Sequence, residues 1–187
     1  MGLPVQVVAL VVFAALLPAG GSAHDARASA CRDSQLALTL GQEVSGATGQ
    51  NPFTVHLTNR SRVSCTLNGY PTVSFSDRRG RLPVVVKQGG SHGGDQQVTL
   101  RRPQPVLIRP GRTAYVVLNK YRCDLGDLRV ADKMRLALPG GSARGVGVAD
   151  LGSLNRRKVA TCRGSASLNV MSMSPFVPSI WAGQRHF

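Results

Sequence analysis

Phe53-Thr54-Val55-His56-Leu57-Thr58 alternates apolar with polar residues and then stops on the turn-forming Asn59-Arg60-Ser61. Side chains of a strand point to opposite faces in turn, so Phe53, Val55 and Leu57 share one face and Thr54, His56 and Thr58 the other. The expectation is a half-buried strand with His56 on its solvated face. Upstream, Leu36, Leu38 and Leu40 fall on one parity and Ala37 and Thr39 on the other. Downstream, Val73 and Phe75 alternate with Thr72, Ser74 and Ser76, and Asp77-Arg78-Arg79-Gly80 closes the segment as a turn. Leu82 to Val86, Val98 to Leu100, Val106 to Ile108, and Ala114, Val116 and Leu118 continue the pattern. Leu128 to Val130, Met134 to Leu138, Gly145 to Val148 and Leu168 to Met173 supply the last extended pieces. Arg109-Pro110-Gly111-Arg112 carries Pro and Gly at the centre, as a type II turn prefers. Gly89-Gly90-Ser91-His92-Gly93-Gly94 is too glycine-rich to hold regular structure cheaply and is expected to be a mobile loop. Short strands between turn signals predict an all-β fold, an antiparallel β-sandwich.

Residues 7–17, VVALVVFAALL, are apolar but fall short of the roughly 20 residues that span a bilayer as a helix. They read as the core of an export signal, broken by Pro18, Gly20 and Gly21 and followed by the small residues Ser22 and Ala23. The expected division is a signal peptide over 1–23, a flexible lead over 24–30, a sandwich over 31–176 and a tail over 177–187 that carries Trp181. Ala28, Ser29 and Ala30 before Cys31 raise the alternative of a lipidated Cys31, against which stand the absence of Leu at position 28 and the long distance from the apolar run. The mature chain is expected outside the cell or in the envelope, with no membrane-spanning segment.

The chain has 187 residues and a formal net charge of +14, and residues 1–23 contain none of its Lys, Arg, Asp or Glu. One domain of ordinary core size accommodates the remainder. Only Lys87, Lys120, Lys133 and Lys158 are lysines among 23 basic residues, so the excess is almost all arginine. Glu43 is the sole glutamate, which leaves few long acidic residues of the kind that favour helices.

Cys31, Cys65, Cys123 and Cys162 stand far apart, unlike the short paired spacings of zinc sites. In an exported chain such cysteines serve as disulfides. Four allow three connectivities, and sequence does not choose among them. The pairing adopted as an expectation is Cys31 with Cys162, fastening the first strand to the approach of the last, and Cys65 with Cys123. Loops of that length would contribute roughly 4 to 5 kcal/mol each in the chain-entropy model.

Cys31 with Leu36, Leu38 and Leu40, then Leu57-Thr58-Asn59-Arg60-Ser61 running into Ser64-Cys65-Thr66-Leu67-Asn68-Gly69-Tyr70-Pro71, resembles an actinobacterial secreted family, domain-of-unknown-function family 4232. The likeness continues through Asp77 to Gly80, Leu107 to Gly111, Cys162 and Ser174-Pro175-Phe176, over about residues 31–176. It implies an immunoglobulin-like exported module tethered to or associated with the envelope. It implies no activity and carries over no catalytic residue. The arginine-rich loops, the GGSHGG stretch and the chain after Phe176 depart from the family pattern.

Chemistry-bearing patterns are sparse. Gly89-Gly90-Ser91-His92-Gly93 matches the G-x-S-x-G of a serine-hydrolase elbow, but that elbow needs a following helix, and Gly94-Asp95-Gln96-Gln97 leads toward a strand. Cleavage after Ala23 would expose His24, whose amine and imidazole would bind copper with His56 or His92 as a further ligand. An ordinary exposed terminus is the simpler reading. Asp124 and Asp127 flank Cys123, yet aspartates beside Gly126 make turns or pair with Arg122 and Arg129.

Arg78, Arg79 and Arg81, then Arg101 and Arg102, then Arg156, Arg157 and Lys158, cluster in expected loops. Gathered into one patch, they would attract polyanions by counterion release. Envelope phosphate polymers, acidic glycans and anionic lipid headgroups are the partners this charge suits. Sequence-specific nucleic-acid reading is not expected, since no aromatic residues interleave with the arginines. The reading is a non-enzymatic binding or structural module without a cofactor, with polyanion binding and copper binding as alternatives.

Overall fold

In the computed structural model, which describes residues 28–42, 49–89, 102–142, 144–154, 159–164 and 169–185, the alternating segments become strands. β1 (Leu36–Gly41) and β2 (Phe53–Asn59) run antiparallel, with Leu38 opposite Leu57 and Leu40 opposite Val55. On its other edge β2 meets β8 (Thr113–Asn119), where Val55 faces Val116 and Leu57 faces Ala114. β13 (Val170–Met173) lies antiparallel beyond β8, and β6 (Val85–Gln88) closes that edge parallel to β13. This five-stranded sheet is therefore mixed, not purely antiparallel as the sequence suggested. A parallel neighbour requires a long crossover, and the chain between β6 and β13 supplies it.

The second large sheet has the order β11 (Gly147–Asp150), β10 (Lys133–Ala137), β4 (Thr72–Asp77), β5 (Gly80–Arg81). Among the described residues two small ladders make up the remaining strands: β3 (Cys65–Leu67) with β7 (Val106–Ile108), and β9 (Asp127–Val130) with β12 (Ala160–Cys162). Val55, Leu57, Val116, Leu118 and Met171 from the first sheet join Val73, Phe75, Met134 and Leu136 from the second in one hydrophobic cluster. The Leu82 to Val86 segment is not one strand. Leu82 ends the β4–β5 hairpin, donating its N–H to the Phe75 carbonyl at 2.8 Å, and Pro83, which has no N–H, interrupts the chain before β6.

The outer face of the first sheet is covered at its centre, which alternation alone does not foretell. After β13 the chain bulges by one residue: Met173 is opposite Leu118, whereas Val177 is opposite Tyr115. Ser174 fills the gap, its N–H donating to the Val117 carbonyl and its Oγ accepting from the Val117 N–H, both at 2.9 Å. Phe176 turns into the core, and α1 (Ile180–Gln184) starts from Ser179, whose side chain caps the Ala182 N–H at 3.2 Å. The chain past Phe176 is thus docked by backbone pairing and a helix. Gly183 permits that approach, since a Cβ there would stand 2.5 Å from Val117 Cγ2.

The disulfide pairing expected from sequence is overturned. Cys31 bonds Cys65 and Cys123 bonds Cys162, with Cα atoms 4.8 Å and 5.1 Å apart. The backbone explains the first link. Ser29 to Cys31, expected to lie in and beside a flexible lead, runs along β3: the Thr66 N–H donates to Ser29 and the Cys31 N–H to Thr66, at 2.9 and 3.0 Å. The β9–β12 ladder explains the second, since it sets Cys162 opposite Asp127, a short turn from Cys123. Closing 34 and 39 residues instead of longer loops lowers the chain-entropy contribution to about 4 kcal/mol each. The sulfur of Cys31 is also the atom that lipidation would need, and the cross-link occupies it.

Candidate functional site

Arg78, Arg79 and Arg81 sit on the β4–β5 hairpin with exposed side chains. Asp77 shapes that turn, its Oδ1 accepting the Arg79 N–H at 2.7 Å. Arg129 of β9 clamps it from across: Nε donates to Asp77 Oδ2 at 2.9 Å, Nη2 to Asp77 Oδ1 at 2.5 Å, and Nη2 also to the Gly80 carbonyl at 3.1 Å. Arg129 is therefore committed to Asp77, not to the neighbouring Asp124 or Asp127 as the sequence suggested. Asp124 pairs with Arg122 at 3.5 Å in an exposed contact worth little. Asp132 borders the same hollow as Arg78 and Arg79, so this cationic hairpin has carboxylates beside it.

The Arg129 clamp holds the Asp77 carboxyl down at about 2, against an ordinary 3.8. A lowered folded-state pKa means that the stabilisation is complete above the unfolded value near 4 and is lost as pH falls from there through about 2. Urea midpoints measured from pH 7 to pH 2 are expected to show an acid loss between pH 4 and 2 that Asp77→Asn reduces, with the variant less stable than the parent at pH 7.

Arg102 lines a different concavity of about 380 Å³. Its walls are Pro105, Val106, Pro175, Val177 and Pro178, and Arg185 stands at the end of α1. Prolines offer no N–H, so these walls are poor in donors as well as apolar. Among the described residues, none that lines the groove is acidic. Leu107 is exposed at its lip, and Trp181, 77% exposed, precedes Arg185 by one helical turn on the same side of α1.

Arg101, Arg156, Arg157 and Lys158 lie outside the described residues, as do His24, His92 and the G-x-S-x-G residues Gly90, Ser91 and Gly93. Of the arginine clusters expected from sequence, the described members fall into two settings, the hairpin for Arg78, Arg79 and Arg81 and the groove for Arg102. His56 is not simply solvated. It is half-buried, packs edge-on against Tyr115 with ring centroids 5.0 Å apart, and lies 3.0 Å through Nε2 from Thr54 Oγ1. Among the described residues no three His, Cys, Asp or Glu side chains come together to hold a metal ion.

The sequence did not single out Arg185, Lys120 or the apolar groove. Ser179 ahead of a short apolar run was the one available signal for α1, as a helix cap. A family model described as a domain of unknown function (DUF4232) matches residues 31–172. No curated protein and no solved structure matches the chain.

Proposed function

We infer that this chain, which belongs to the domain-of-unknown-function family DUF4232, works as an exported, envelope-associated, non-enzymatic binding module. In this reading residues 1–23 are a signal peptide, the two large sheets form an immunoglobulin-like sandwich, and the ligand is an anionic amphiphile. The observation that carries it is the groove between the β7 approach and α1. It has an apolar, proline-rich lining, a guanidinium at Arg102, another at Arg185, and no acidic lining residue among those described. An acyl chain suits the walls, and a phosphate or carboxylate head suits the arginines. Its volume of about 380 Å³ lies at the lower end of small-molecule sites, roughly 300–1,000 Å³, which favours one chain over a bulky lipid.

Trp181 is the only tryptophan, so its fluorescence reports on α1 alone. Titration with dodecyl phosphate below micelle formation is expected to shift Trp181 emission saturably, with dodecyl maltoside at least about tenfold weaker. Reversing both charges, Arg102→Glu with Arg185→Glu, is expected to weaken dodecyl phosphate by about tenfold or more, the scale of 1.4 kcal/mol. Equal binding of the neutral detergent, or no loss in the reversed variant, contradicts the assignment.

A second reading rests on Arg78, Arg79 and Arg81, three exposed guanidiniums on one braced hairpin. These suit a polyanion such as an envelope phosphate polymer or acidic glycan, held with steep salt dependence.

A further inference from the structure

Lys120 follows β8, and its side chain is turned inward to 3% exposure, an uncommon fate for lysine. Its ammonium donates to the Tyr121 carbonyl at 3.1 Å and to Cys162 Sγ at 3.3 Å, with Cys123 Sγ at 4.0 Å. No carboxylate among the described residues forms an ion pair with it. Asp127 acts on it from farther away, and burial pulls its pKa below the usual lysine value. A disulfide sulfur accepts hydrogen bonds weakly, so in the oxidised protein two of the three described acceptors around this desolvated cation compensate it poorly. Reduction would place a thiolate at 3.3 Å, a full counter-charge.

We propose that Cys123–Cys162 is an exchangeable disulfide that takes electrons from small dithiols, with Cys123 as the attacked sulfur and Lys120 as the positioning cation for the departing Cys162 thiolate. Access and leaving-group chemistry agree on the direction. Cys123 is partly exposed and lines an open hollow of about 300 Å³ together with Arg122 and Asp127, whereas Cys162 is buried. Arg122, paired with Asp124 in an exposed contact, lines that hollow beside Cys123 and is placed to attract an incoming thiolate. Exchange is faster when the leaving thiol is the more acidic, and a cation beside a sulfur makes it so.

In the first step one thiolate of the dithiol bonds Cys123 Sγ as the S–S bond breaks, and the bond pair leaves with Cys162. In the second, the other thiol loses its proton and attacks its own mixed disulfide, expelling the Cys123 thiolate, which takes up a proton. The dithiol is oxidised to a cyclic disulfide and the protein disulfide is reduced, two electrons in each case. Among the described residues no lysine or arginine donates to the sulfurs of the Cys31–Cys65 link, and both cysteines are buried, so it serves as an internal control.

The folded full chain treated with dithiothreitol, quenched by alkylation and mapped by mass spectrometry, is expected to open Cys123–Cys162 at least tenfold faster than Cys31–Cys65. Lys120→Met is expected to slow that opening about tenfold, and Lys120→Arg to restore most of it. Glutathione, which has one thiol, is expected to leave its adduct on Cys123 in the parent protein, a readout that does not depend on any variant folding. Equal rates for the two disulfides, an adduct on Cys162, or undiminished exchange in folded Lys120→Met overturns the proposal.

Discussion

Phe75→Ala is expected to lower the free energy of unfolding by about 3–5 kcal/mol, the range for deleting a buried aromatic side chain. Phe75 is 1% exposed on β4, opposite Met134 of β10, and its ring belongs to the cluster shared by the two large sheets. The flanking strands are held by their own ladders, so they are poorly placed to close the resulting void. Domains of this size are stable by about 5–15 kcal/mol, so the loss is a large share of the whole. Urea unfolding monitored by circular dichroism checks it through a lower midpoint at unchanged slope. A loss below about 1 kcal/mol would mean that the two sheets do not share this core.

Asn59→Ala is expected to cost about 2–4 kcal/mol for a different reason. Asn59 is fully buried at the end of β2 and works as a polar hub. Its Nδ2 donates to the Val63 and Ile108 carbonyls at 2.8 and 3.0 Å, and its Oδ1 accepts from the Ser61 N–H and Oγ at 2.9 and 2.7 Å. Its backbone also receives the Gly111 N–H and donates to the Arg112 carbonyl. Alanine removes four side-chain hydrogen bonds and strips the buried Ile108 carbonyl of this donor. The same urea series reads the effect, and Asn59→Asp is expected to remain impaired because a carboxylate cannot donate to either carbonyl. Stability close to the parent in both variants would refute the role of this hub.

The contrast between these two residues shows what the sequence discloses. Phe75 is legible because its partners follow from alternation, and the same rule locates β1, β2, β4, β8 and β10. The turn at Arg109 to Arg112 is also legible, with Gly111 at φ +71° and the Arg112 N–H donating to Arg109 at 3.0 Å. Asn59 is legible as a turn residue, and its Val63 partner is local, but its other carbonyl partner, Ile108, lies on β7, far along the chain. β12 gives no alternation because all three of its residues are buried. The disulfide pairing is not legible, because cysteine spacing favours no connectivity and Cys31 is brought to Cys65 by pairing of its own backbone with β3. Arg102 was readable as a charge. Its groove was not, because Arg185 reaches it only through the bulge at Ser174 and the docking of α1. Lys120 looks like any surface lysine in the sequence, since nothing local marks a side chain that folds back onto a disulfide.

A tryptic digest of natively oxidised protein, mapped without reduction, puts the four cysteines on separate peptides: 28–32, 63–78, 123–129 and 159–163. The predicted result is 28–32 linked to 63–78 and 123–129 linked to 159–163, the two short-range bonds on which both the strand pairing and the Lys120 site depend. Linkage of 28–32 to 159–163, of 63–78 to 123–129, or four free thiols would contradict it.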